Sequence, residues 1–156
     1  MITEKKKSKI KENGIELVFN SLDVATYQYL RDSVGWRHLT DNQAEKALGS
    51  ALLTVCAYKD GQPVGMGRLI GDGAVVCYIQ DLVVKKEVQL CGIGSMVIDE
   101  LIQYAESLRE PDTTMMLCLM CAKGREPFYL KHNFTARPTP DLGPGMIMYL
   151  REDTGC

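Results

Sequence analysis

The sequence predicts a single α+β domain built on a mixed, mostly antiparallel sheet. Three observations carry this. Three strand-like stretches follow one another over residues 51–84 with hairpin turns between them. A long amphipathic stretch follows at residues 93–108. An apolar run at residues 113–121 then completes a strand–helix–strand unit, whose two strands should be parallel neighbours. The length of 156 residues suits one domain over 1–156, which should bury about 70% of its unfolded-chain surface.

In chain order, residues 1–14 are polar and basic and read as a flexible leader. Residues 15–20 alternate like a strand. Asp23 can cap a helix that presents Val24, Tyr27 and Leu30 on one face and breaks at Val34-Gly35. Thr40 can cap a second helix over 41–48, ended by Gly49. The meander comprises residues 51–58, 64–70 and 75–84, with turns at Asp60-Gly61 and Gly71-Asp72-Gly73. A polar connection over 85–94 leads into the helix at 93–108, where Met96, Val97, Leu101, Tyr104 and Leu108 form the apolar stripe. The run at 113–121 has no polar face, as in a strand buried on both sides. A short helix at 125–131, a tail with Pro138, Pro140 and Pro144, and a closing strand at 146–150 complete the chain.

Charge and composition remove several function classes. Eighteen Lys and Arg against 20 Asp and Glu give a net charge of −2, which supplies no nucleic-acid footprint. No apolar run approaches the roughly 18 residues of a membrane span. Lys5-Lys6-Lys7 is followed by no apolar signal core, so a cytoplasmic location is expected. In such a setting the six cysteines read as packing thiols rather than a disulfide framework. Cys118 and Cys121 fit C-x-x-C, but no second pair completes a zinc site, and no metal is expected.

The segment Gln89-Leu90-Cys91-Gly92-Ile93-Gly94 carries the chemistry. It opens a long helix directly after a strand. A helix N-terminus exposes backbone N–H groups that have no intrahelical acceptor, and the helix dipole adds positive potential there. Glycines let a phosphate approach the backbone. The dinucleotide pattern G-x-G-x-x-G fails because Val97 takes the third glycine position, and no Gly-Lys-Ser/Thr completes a Walker loop.

This segment resembles the pyrophosphate loop of the GNAT acetyltransferase superfamily, Gln/Arg-x-x-Gly-x-Gly/Ala, through Gln89, Gly92 and Gly94. Residues 78–84 resemble the family's fourth strand, and Phe128-Tyr129-Leu130-Lys131-His132-Asn133-Phe134 resembles its F-Y-x-K-x-G-F segment. The order and spacing of these segments agree over residues 75–134. The resemblance implies helices on both sheet faces and a splayed parallel pair formed by the fourth and fifth strands. It implies acetyl-coenzyme A (acetyl-CoA) as co-substrate, with its pantetheine arm along Leu82, Val83 and Val84. The pyrophosphate would lie on backbone N–H groups of Leu90, Cys91, Gly92, Ile93, Gly94 and Ser95. It further implies direct transfer of the acetyl group to a primary amine of a small molecule or peptide. Tyr129 matches the tyrosine that protonates the departing thiolate; a packing aromatic is the other role open to it. Trp36 and Arg37 fall where relatives shape the acceptor groove, although Trp36 can equally anchor the helix pair. A homodimer is a candidate assembly, with residues 146–150 as contact edge.

The chain departs from the pattern at two places. Leu90 and Cys91 stand where family loops often carry Arg, Lys or Gly, which reduces charge assistance at the phosphates. Lys85, Lys86, Lys123, Arg125 or Lys131 can supply it instead. Asn133 replaces a glycine, and asparagine tolerates positive φ. Asp81 is the best-placed carboxylate for a general base, and a structural acceptor for backbone donors is its other role. A domain that binds CoA as a sensor, without turnover, is the alternative function.

Overall fold

The computed structural model describes residues 9–152. Residues 1–8 of the expected leader, with Lys5-Lys6-Lys7, and Cys156 lie outside the described residues. The remainder of that leader is a hairpin arm. Strand β1 (Lys9–Glu12) pairs antiparallel with β2 (Ile15–Phe19) across Asn13-Gly14, whose φ angles are +50° and +78°. Asn-Gly accepts positive φ at both positions, so a tight hairpin closes where the charged composition suggested loose chain.

Helix α1 (Val24–Ser33) starts at Asp23, whose carboxylate accepts from Thr26 N at 2.7 Å. Helix α2 (Asp41–Gly49) starts with a reciprocal capping box between Thr40 and Gln43. Strands β3 (Leu53–Lys59), β4 (Gln62–Gly71) and β5 (Val76–Val84) form the antiparallel meander. Helix α3 occupies Ile93–Leu108, and β6 (Met116–Leu119) returns parallel to β5. The sheet order follows the chain, β1-β2-β3-β4-β5-β6.

Helices cover both faces of this sheet. Leu22, Tyr27, Leu30 and Ala44 pack with Cys56, Met66 and Val83 on one face. The neighbouring residue Gly67 points to the other face by strand alternation. A Cβ there would lie 2.8 Å from Leu101 Cδ1 and 2.9 Å from Val97 Cγ1, so the glycine lets α3 seat closely on β4. Val97, Ile98 and Leu101 are fully buried in this layer. Each such side chain contributes about 1.5–3 kcal/mol through removal from water.

Two expected strands change. β6 covers four residues rather than nine and is the last strand of the sheet, with Met116 53% and the adjacent Met120 52% exposed. An apolar run alone does not distinguish a central strand from the last strand of a sheet. Residues 146–150 form no strand, and Met146, Ile147, Met148, Tyr149 and Leu150 are all exposed. Strand propensity depends on the pairing context, and an apolar run alone does not supply one.

The chain divides into two compact units after Met120. The first holds the sheet and α1 to α3. The second, from Cys121, holds α4 (Glu126–Lys131) and a turn in which Arg137 Nε donates to Gly143 O and Thr139 N donates to Leu142 O.

Candidate active site

The site in the larger unit begins with a fault in β5. Arg68 of β4 faces Gln80, whereas Met66 faces Val83. Two steps along β4 therefore match three along β5. The extra residue is a β-bulge, and Asp81 lies in it with φ +55°. A bulge exchanges the two faces of every residue beyond it. Ile79 pairs with Leu69 on the α3 face, whereas Val83 packs in the α1 cluster with Tyr27 and Leu30. Pairing with β6 ends at Ile79–Leu119, immediately before the bulge. From Gln80 onward β5 has no β6 partner, which is the splay expected of the parallel pair.

Asp81 is buried, and its carboxylate accepts four side-chain hydrogen bonds. Oδ1 accepts from Arg31 Nη1 at 3.0 Å and Gln80 Nε2 at 3.1 Å. Oδ2 accepts from the Tyr27 hydroxyl at 2.5 Å and Arg68 Nε at 2.8 Å. The donors are side chains, not the backbone groups anticipated for a structural acceptor. Both guanidiniums also lie against the Tyr27 ring. Burial and the neighbouring Asp81 carboxylate push the Tyr27 phenol up to about 12. No signal in the sequence marked Arg31 or Arg68, which stand 50 and 13 residues from Asp81.

Arg31 links this cluster to the loop between α1 and α2. Its Nη2 donates to Arg37 O at 3.0 Å, and its guanidinium lies 5.4 Å from the Trp36 ring centroid. Gln28 fixes the same loop through both Leu39 backbone groups. Trp36 is 38% exposed, so it presents an aromatic surface while stacked on Arg31. Arg37 is exposed, and His38 Nδ1 lies 3.1 Å from the Asp32 carboxylate.

The loop after β5 is held from both ends. Lys85 N donates to Val64 O, and the Gln89 side-chain amide donates back to Val84 O at 2.9 Å. A 3-10 turn, Lys86–Val88, lies between them. Leu90 adopts φ +64° with its side chain in solvent, and Gly92 caps α3 with φ +81° and no side-chain cap. Ile93 is buried and anchors the helix start. Apart from its chain neighbours and the helix backbone beside it, no atom of the described residues lies within 4 Å of where a Gly92 Cβ would stand. The glycine thus provides both the left-handed turn and open space before the α3 N-terminus. This is the arrangement in which leading helix N–H groups hold a phosphate. Lys85 is engaged elsewhere: its ammonium donates to the Tyr29 hydroxyl at 2.7 Å, an interaction that raises its pKa.

In the smaller unit, α4 carries the half-buried Tyr129, whose ring meets Phe128 at 5.1 Å and Phe134 at 6.0 Å, both edge-on. Asn133 adopts φ +67°, so it fills the place of the glycine. Lys131 is exposed. His132 is half-buried against the Phe128 ring.

The described cysteines are free thiols, but not all are packing residues. Cys56 and Cys77 are buried, whereas Cys91 and Cys121 are exposed. Cys118 Sγ is directed to Cys77 O and Cys121 Sγ to Ala122 O. No group of three or more metal-ligating side chains occurs among the described residues. No helix among them is long and apolar enough to cross a membrane.

Comparison with known proteins agrees with this geometry. The sequence model described as acetyltransferase (GNAT) family matches residues 18–134. No curated protein is similar enough to count as a match. Among solved structures, the chain is similar to a protein of unknown function from meticillin-resistant Staphylococcus aureus, described as a probable acetyltransferase. The two share 29% identity with a TM-score of 0.76, over 87% of this chain and 99% of the other. It is also similar to a GNAT family acetyltransferase of Streptococcus pneumoniae, at 28% identity and TM-score 0.74, over 88% and 99% of the two chains. A Mycobacterium tuberculosis protein solved in complex with CoA shares the fold alone, at 22% identity and TM-score 0.57, over 76% and 70%. With the family pattern spanning the bulged strand, the glycine loop and α4, the chain belongs to the GNAT acetyltransferase family.

Proposed function

We propose that the protein transfers the acetyl group of acetyl-CoA to a primary amine by direct attack in a ternary complex. The observation that carries this is the uncapped, glycine-initiated N-terminus of α3, tied by Gln89 to the half of β5 that lacks a β6 partner. In this reading the pantetheine amides extend along Leu82, Val83 and Val84, and the pyrophosphate rests on N–H groups from Leu90 to Ser95, with Lys131 as a further cofactor contact. The amine nitrogen bonds to the thioester carbonyl carbon, the carbon–sulfur bond breaks, and the thiolate takes a proton from Tyr129. The attacking nitrogen releases its proton to solvent, because the lone pairs of Asp81 are occupied by four donors, and the Tyr129 phenolate regains a proton from solvent. Trp36 and Arg37 line the acceptor side. The exposed run at residues 146–150 serves as contact edge of a homodimer, which sedimentation at high concentration would detect.

The test is thiol release from acetyl-CoA across a panel of amines, amino sugars, polyamines and peptide N-termini. Amine-dependent release of free CoA supports transfer. Tight CoA binding with no release on any amine would assign the chain to the alternative, a non-catalytic CoA sensor.

A further inference from the structure

We infer that Asp81 is a positioning residue: clamped by Tyr27, Arg31 and Arg68, its carboxylate locks the β5 bulge beyond which Leu82 to Val84 lack a β6 partner and can receive an extended amide ligand. That ligand is the pantetheine arm, so this step rests on the acetyl-CoA reading above.

The bulge and the ion cluster require one another. A regular β5 would keep Asp81 on the same face as Ile79, against the layer of Val97 and Leu101. A carboxylate there would be buried without a charged partner, and Arg31 and Arg68 would be left as buried cations without an anion. One extra residue moves Asp81 to the α1 face, where donors from α1 and β4 converge on it. The backbone conformation needs this restraint. Aspartate at φ +55° occupies a region that L-residues leave unless surrounding contacts hold them there.

The charge count makes the carboxylate indispensable. Two guanidiniums share one anion, and Arg31 Nε is buried with no hydrogen-bond partner. Removing Asp81 takes from both cations the carboxylate they share, leaving them only carbonyl and ring contacts. The bulged strand is also where the β6 ladder ends. The same carboxylate that fixes the bulge therefore fixes which stretch of β5 stays unpaired.

Asp81→Asn keeps size and tolerance of positive φ but removes the charge. Tyr27→Phe removes one of the four hydrogen bonds and keeps the ring, and it decides the matter if the first variant fails to fold. Backbone hydrogen exchange on the CoA-free protein is the first readout. Residues 80–84 should exchange at least about tenfold faster in either variant, while residues 76–79 change little. CoA Kd, measured by calorimetry, should rise by about tenfold or more in Asp81→Asn and less in Tyr27→Phe. A base would behave differently, with kcat falling, the pH profile flattening and Kd unchanged. That outcome would overturn the inference, as would unaltered exchange at residues 80–84 in a folded variant. The exchange readout needs no CoA, so a wild-type protein that failed to bind CoA would sink the acetyl-CoA reading while the lock was still decided.

Discussion

The two halves of β5 are held in place by different physics. Residues 76–79 pair with β4 on one edge and β6 on the other, and their inward positions are the apolar Cys77 and Ile79. Residues 80–84 have a bulge, no β6 partner, and a buried aspartate bound by two arginines and a tyrosine. The first half is ordered by a repeating ladder in which no single residue decides. The second has given up one ladder, and a few side chains supply the order instead. An unpaired stretch of sheet edge therefore concentrates its stability in a small number of polar residues, which makes those residues disproportionately sensitive to substitution.

The largest expected effect follows directly. Asp81→Ala strands the buried Arg68 guanidinium and the partly buried one of Arg31, and should lower stability by about 3–5 kcal/mol. Ile79→Val, equally buried two residues earlier, should lower it by about 0.5–1.5 kcal/mol. Urea unfolding of both variants measures the contrast, and equal losses would break it. Gly92→Val places a β-branched side chain at φ +81° in the space before α3. Calorimetry should show CoA Kd raised about a hundredfold, equivalent to about 2.7 kcal/mol, while the strain of a β-branched residue at positive φ should lower unfolding stability by about 1–2 kcal/mol. Tyr129→Phe separates chemistry from binding, since no volume is lost. It should lower kcat by about tenfold to a few hundredfold, the low end of general acid catalysis, with CoA Kd nearly unchanged. A thiolate with a pKa near that of free cysteine, about 8.5, leaves tolerably without help, so the effect stays moderate. Full kcat in this variant, with chemistry limiting, would return Tyr129 to a packing role.

The smallest effect concerns the start of β5. Asp72 accepts from the N–H groups of Ala74, Val75 and Val76, which hold its pKa below the usual value of 3.8. A lowered folded pKa stabilises the fold above the unfolded value, and this contribution disappears as pH falls through the folded value. Asp72→Asn should therefore melt slightly below the wild type at pH 5 to 7. The gap should close as the pH drops below about 3.8. A gap independent of pH would show that the carboxylate charge is not what holds this turn.

Sequence patterns captured whatever depended on local periodicity. Helix α3 runs over Ile93–Leu108 as its apolar stripe and leading glycines require, and Asp23 and Thr40 cap their helices. β1 was hidden because three of its four residues are charged, although Asn13-Gly14 carried a hairpin signal that outweighs composition. The Asp81 cluster was not legible, because its partners come from α1 and β4 and a bulge leaves no period-two signature. Alternation through Tyr78, Gln80 and Leu82 reads as an ordinary strand, with the buried carboxylate at Asp81 its one discordant residue. A charged residue on the inward side of a strand was the available clue to a change of face.

Backbone amide NMR during CoA titration tests the central claim most directly, because it reads both halves of β5 in one experiment. Amides of Leu82, Val84, Gly92, Gly94 and Ser95 should shift together with a single Kd, while those of Cys77, Tyr78 and Ile79 remain in place. Shifts clustered outside the second half of β5 and the Gln89-to-Ser95 loop, or no saturable shift at all, would contradict the account.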